Sequence, residues 1–141
     1  MTETAVDRTA RAASLASQSA VRAKDKATWV ALFATDGIVE DPVGPSGFDP
    51  EGVGHRGHEA IGAFWDKTVA LAESIEFRFT DSFACGNEIA FTGLIRTTMA
   101  GHVIDAEGVF TYRVDTEGKI AALRAFWEVE RAMATTRPAT T

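Results

Sequence analysis

An α+β fold, with helices first and antiparallel strands after them, is what this sequence predicts, and three observations carry it. Apolar residues recur at helical spacing up to about residue 72. From Ser74 onward the spacing switches to a period of two. Four alternating runs are then separated by the turn signals Gly86-Asn87, Ala100-Gly101 and Asp115 to Gly118, so they read as a meander. Helices that precede the strands, rather than alternating with them, give α+β. With 141 residues and 45% hydrophobic content, the chain is expected to form a single domain over 1–141 with its own core.

Residues 1–6 read as a loose arm. Asp7 is a capping residue for a helix to about Lys24, alanine-rich, with Leu15 and Val21 turned inward. Asp25 caps a second helix, where Trp29, Leu32 and Phe33 make one apolar stripe and Gly37 is a left-handed stop. A strand over Ile38–Asp41 follows, and residues 42–54, rich in proline and glycine, form an irregular loop. Gly57 or His58 opens a third helix to about Ala72, whose apolar face is Ile61, Phe64, Trp65 and Val69. In Glu76–Ala84, Phe77, Phe79 and Phe83 alternate with Arg78, Thr80 and Ser82. Strands over Glu88–Met99, His102–Val114 and Lys119–Glu130 complete the meander, and residues 135–141 read as disordered.

The net charge of −6 and the absence of a Lys/Arg cluster argue against nucleic acid as a partner and disfavour anionic membranes. Residues 1–12 lack the apolar centre of a secretory leader, and no segment has the ~20 apolar residues of a membrane span. A single cysteine, Cys85, permits no intramolecular disulfide and is expected to be buried. A soluble, cytoplasmic protein is the expectation. No cofactor motif is present. His55 and His58 are three apart near Asp49 and Glu51, without a recognised metal signature, so a solvated helix start is expected there and no metal site.

The stretch Gly37-Ile38-Val39-Glu40-Asp41-Pro42-Val43-Gly44 places a carboxylate at a strand end where the chain must bend. The residue before a proline is driven to extended geometry, and a strand end on a rigid scaffold suits a reactive group. Asp41 can equally be read as an ordinary turn opener.

Glu-Asp-Pro-Val-Gly, preceded by Trp29-Val30-Ala31-Leu32-Phe33-Ala34 and followed by Gly57 and Glu59-Ala60-Ile61-Gly62-Ala63-Phe64-Trp65, resembles the bacterial ketosteroid isomerases of the nuclear-transport-factor-2-like superfamily. The closing run Gly118-Lys119-Ile120 to Ala125-Phe126-Trp127-Glu128 resembles the same family, and the match extends over roughly Ala13 to Val129. The resemblance implies a cone: three N-terminal helices on a curved, mainly antiparallel sheet enclosing an apolar pocket. It also implies that Asp41 is a general base, moving a proton between carbons beside a ketone. The family's two oxyanion donors, a tyrosine and a protonated aspartate, fall at Ser17 and Phe110, which cannot replace them. Tyr112 and Trp127 are the candidate substitutes, Tyr112 because Ile104, Ala106, Gly108, Phe110 and Tyr112 share one strand face. The opposite face, with Asp105, Glu107, Thr111 and Arg113, is expected to be solvated or dimer-facing.

Trp29, Phe33, Phe64, Trp65 and Phe110, with Ser17, are the candidate lining of a cavity for a flat polycyclic ligand. Three readings follow. One is an isomerase-like enzyme acting on a steroid or other polycyclic ketone. Another is a steroid- or polyketide-binding protein without turnover. The last is a polyketide cyclase or dehydratase of the same superfamily. A homodimer is expected, on the family's habit and on Val103, Val109 and Ala122 as outward apolar positions.

Overall fold

The computed structural model describes residues 9–140. Helix α1 (Ala10–Arg22) is capped by Thr9, whose hydroxyl accepts from the Ala12 amide at 3.1 Å. The cap expected at Asp7 and the arm over 1–6 lie outside the described residues. The inward face of α1 is Ala10, Ala13, Ser14, Ser17, Gln18 and Val21. Leu15, expected inside, is about half exposed (51%), because it falls off that i, i+3, i+4 stripe. Small residues let the helix lie close against the sheet, so its buried side carries little apolar signal.

Asp25 caps α2 (Lys26–Ala31) through the Thr28 amide and hydroxyl. The helix is shorter than its apolar stripe suggests. Phe33 does not continue it but opens strand β1 (Phe33–Glu40). The cause is long-range: the Ile120 amide donates to Leu32 O at 2.9 Å, and Phe33 aligns with Ile120 of β6 (Ile120–Phe126) in parallel pairing. Gly37 is therefore not a helix stop. It lies inside β1, where a Cβ would come 2.8 Å from Ile120 O, at the register shift between Phe33 and Ile38.

After the 42–54 loop come β2 (His55–Arg56), paired to β1, and α3 (His58–Lys67) with a 3-10 turn at Val69–Leu71. Ile61, Phe64, Trp65 and Val69 are buried as expected. Asp49 holds the loop: its carboxylate accepts from the amides of Gly52, Val53 and Gly54, which keeps it below the usual carboxylate range.

The remaining strands are β3 (Ser74–Cys85), β4 (Glu88–Met99) and β5 (His102–Val114). The sheet runs β2-β1-β6-β5-β4-β3, antiparallel except for β1 against β6. Three expectations fail at its margins. A bulge between Phe79 and Asp81 inverts the alternation, so Phe83 is exposed rather than sharing a face with Phe77 and Phe79. Cys85, at the hairpin end of β3, is exposed and not buried. The last strand stops at Phe126 and gives way to α4 (Val129–Met133), after which β7 (Arg137–Pro138) pairs with β5, so the segment expected to be disordered is tied down. Asp105 explains this: it accepts bidentately from Arg96 at 2.8 and 3.0 Å and again from Arg137 at 3.2 Å. Asp105 is thus covered by the C-terminal segment and not simply solvated.

The curved sheet carries two glycines, Gly93 and Gly108, facing each other across β4 and β5, level with the bulge in β3. A Cβ on Gly108 would lie 2.0 Å from Phe126 O. Gly108→Val is expected to cost ~3 kcal/mol or more, at the upper end of overpacking, as measured by urea unfolding. A loss below ~1 kcal/mol would show that the position tolerates a side chain.

Candidate active site

The register fixes which side chains line the concave face, because directly opposed residues point the same way. Tyr112, Ile89 and Leu123 form one row. Phe110, Phe91 and Ala125 form the next. Beyond the glycine row come Ala106, Ile95 and Phe77, then Ile104, Thr97 and Ile75. The first two rows are buried, whereas the last two are only half-buried. The face is therefore a funnel in its exposure, buried at the Tyr112 end and half-buried at the Phe77 end.

Val39 is level with Leu123, so Asp41, two residues on, faces into this funnel. The Val43 amide donates to Ala125 O at 2.9 Å and anchors the chain just past it. Trp127, two residues beyond Ala125, points the same way, and its Nε1–H donates to Asp41 Oδ1 at 2.6 Å. Asp41 lies deep in the protein yet keeps some accessible surface, as a group bordering the funnel should. Burial pushes its carboxyl above the ordinary 3.8, and the Trp127 hydrogen bond acts in the opposite direction. The group is thus tuned toward accepting a proton while held by one directed donor.

Trp127→Phe removes that donor and keeps an aromatic ring. The Asp41 carboxyl is expected to rise further, moving the acid limb of any pH–rate profile to higher pH. An unmoved limb would show that the indole does not act on the carboxylate.

Across the funnel floor stands Tyr112, buried, with its hydroxyl beside Ser17 and Gln18. Burial pushes its phenol up to about 12, the neighbouring Ser17 hydroxyl works against this, and the Asp41 carboxylate adds to the rise. Tyr112 therefore keeps its proton at neutral pH and is a donor. The Ser17 hydroxyl also accepts from Trp29 Nε1 at 2.9 Å, joining the two helices to the floor.

Of the residues singled out from the sequence, Asp41, Trp127, Tyr112, Ser17 and Phe110 come together around this floor. The others pack elsewhere. Trp29 meets Phe33 edge-on at 4.9 Å and Trp65 at 5.2 Å, in the layer between helices and sheet. Phe64 lies under the loop, against Phe48 at 6.3 Å and His55 at 4.9 Å. Phe110 packs against Phe79 at 5.3 Å, which in turn stacks on Phe91 at 4.9 Å. His58 is bonded through Nε2 to Phe33 O at 2.8 Å, and so binds helix to strand. No group of three or more potential metal-binding side chains occurs among the described residues.

Gln18 escaped the sequence reading. It is buried beside Ser17, and the signal available was helical phase: it stands four residues after Ser14 and three before Val21, both inward.

A model of the SnoaL-like domain matches residues 15–123. No curated protein matches the chain. Among solved structures, the Mycobacterium tuberculosis protein RV0760c is 34% identical, covering 91% of this chain and 96% of its own, with a TM-score of 0.81. That protein was also solved in complex with estradiol-17beta-hemisuccinate. The Delta 5-3-ketosteroid isomerase from Mycobacterium sp. is 35% identical, covering 92% of this chain and 98% of its own, also with a TM-score of 0.81. A computationally designed 17-OHP binder is 34% identical, with coverages of 86% and 94% and a TM-score of 0.80.

Proposed function

This chain belongs to the SnoaL-like domain family, within the nuclear-transport-factor-2-like superfamily, and from that premise we propose that it is a ketosteroid-isomerase-like enzyme acting on a steroid or other polycyclic ketone. The observation that carries the reading is Asp41: a carboxyl of raised proton affinity, held by Trp127, at the inner end of an apolar funnel. The similar proteins described with steroid ligands or steroid activity support the ligand class.

A flat apolar ketone enters past Phe77 and Ile95 and lies against Phe79 and Phe110. Asp41 takes a proton from the carbon between the carbonyl and the double bond. The electron pair moves onto the ketone oxygen as an enolate. Asp41 then returns the proton to the far carbon of the conjugated system, so the double bond shifts and no proton is gained or lost. The enolate oxygen needs preorganised donors. Tyr112, which stays protonated and feels the Asp41 carboxylate, is the donor on the floor facing the base.

One observation favours the runner-up, a binding protein without turnover: Ser17 is already engaged by Trp29, and Phe110 has no donor to offer. Incubation with a 5-ene-3-ketosteroid separates the two. Growth of the conjugated-enone absorption in proportion to protein concentration supports the enzyme. A concentration-dependent rise in melting temperature without any enone supports the binder.

We also infer a homodimer. Val109, Phe126, Val129 and Met133 are exposed apolar residues at one end of the outer sheet face and the adjoining helix. Ala122, expected among them, is buried and takes no part. Light scattering at micromolar concentration should give twice the monomer mass. A value near 15.1 kDa would refute the dimer.

A further inference from the structure

The floor of the funnel holds one unsatisfied group. Gln18 is 5% exposed, and its Nε2 is buried without a hydrogen-bond partner among the described residues. Gln18 lies beside the Tyr112 hydroxyl, yet no hydrogen bond of proper geometry forms from that amide nitrogen. A buried donor left unpaired is costly and is seldom retained without a reason.

The hydrogens around it can be assigned. Trp29 Nε1 can only donate, so Ser17 Oγ accepts from it at 2.9 Å. The Tyr112 hydroxyl stands beside Ser17 and Gln18. It makes no hydrogen bond to an acceptor among the described residues, so the phenol hydrogen is available next to the unpaired amide donor of Gln18.

We propose that Gln18 Nε2 and Tyr112 Oη form a two-donor cradle for an acceptor oxygen of the ligand, the carbonyl of a polycyclic ketone and the enolate derived from it. This rests on the ligand class proposed above and deepens it. The cradle stands in for the donors absent at Ser17 and Phe110, and does so with a different pair of residues. Ser17, too short to reach a ligand, is engaged as an acceptor by Trp29 Nε1.

The test compares a 4-ene-3-ketosteroid with its analogue lacking the 3-oxygen, titrated into wild type, Gln18→Leu and Tyr112→Phe. Wild type should prefer the ketone by about 3- to 10-fold, the worth of a neutral hydrogen bond. Its enone absorption should move to longer wavelength on binding. Gln18→Leu should bind the oxygen-free analogue as wild type does, lose most of the preference and lessen the spectral shift. Its melting temperature without ligand should equal or exceed that of wild type, since the orphan donor is gone. Should leucine disturb packing, Gln18→Met provides the same comparison. Tyr112→Phe should lose the preference too. Both steroids bound equally by wild type, or a preference intact in Gln18→Leu, overturns the cradle and leaves the ligand class standing. Neither steroid bound by wild type means that the ligand class itself is wrong, and the cradle falls with it.

Discussion

Asp41→Asn is expected to lower turnover of a 5-ene-3-ketosteroid by ~10²–10⁴, the contribution of a well-placed general base. Asparagine keeps the size of the side chain and can still accept from Trp127 Nε1, but it cannot take a proton. Affinity for the steroid should change only a few-fold. The same variant tests the electrostatics. Burial raises the folded carboxyl above 3.8, so the folded protein binds this proton more tightly than the unfolded chain does. Wild-type stability should therefore decline as pH rises from about 3.8 through the folded value, and the active base form should exist only above that value. Asp41→Asn should lack this decline and be the more stable protein at neutral pH. Unchanged turnover in the variant would remove Asp41 as the base, and an unchanged stability profile would show that the carboxyl is not desolvated.

Trp29→Ala should be the most destabilising of the truncations, by ~3–5 kcal/mol. The indole is 2% exposed and packs against both Phe33 and Trp65. Its removal opens a cavity between helices and sheet and leaves Ser17 without its donor. Trp29→Phe separates the two effects. It retains most of the packing and should cost ~1 kcal/mol for the lost hydrogen bond. With Trp29 gone, Ser17 is free to accept from Tyr112, so Trp29→Phe should also weaken the ketone preference assigned to Tyr112. Equal destabilisation by both variants in chemical unfolding would contradict this division.

What could be read from the sequence depended on how local its cause was. Strands β4 and β5 were legible to their end residues, because alternation and the turns at Gly86-Asn87 and Ala100-Gly101 lie within each hairpin. Phe33 was not, since its strand conformation is imposed by Ile120, far along the chain. Phe83 was misplaced by a single extra residue, which reverses every later side chain on the strand. Leu15 misled because α1 buries alanine and serine in preference to its one leucine. The C-terminal segment looked featureless because its order depends on Arg137 reaching Asp105 on another strand. In the site, the position of Asp41 followed from a local signal, an Asp-Pro pair at the end of a β-prone run. The partnership of Asp41 with Trp127 joins residues far apart in the chain and only the fold could supply it. Gln18 had the right helical phase but no chemical cue, since an unpaired donor is visible only once its surroundings are.

The route of the proton tests the central claim most directly. A 5-ene-3-ketosteroid labelled with deuterium at the carbon between the carbonyl and the double bond should yield 4-ene product with deuterium at the distal carbon, above the level expected from solvent exchange, because Asp41 carries one hydrogen between the two sites. Asp41→Asn should give no such transfer. Enone formed by wild type with only solvent hydrogen at the distal carbon, and at the same rate in Asp41→Asn, would contradict a shuttle at Asp41.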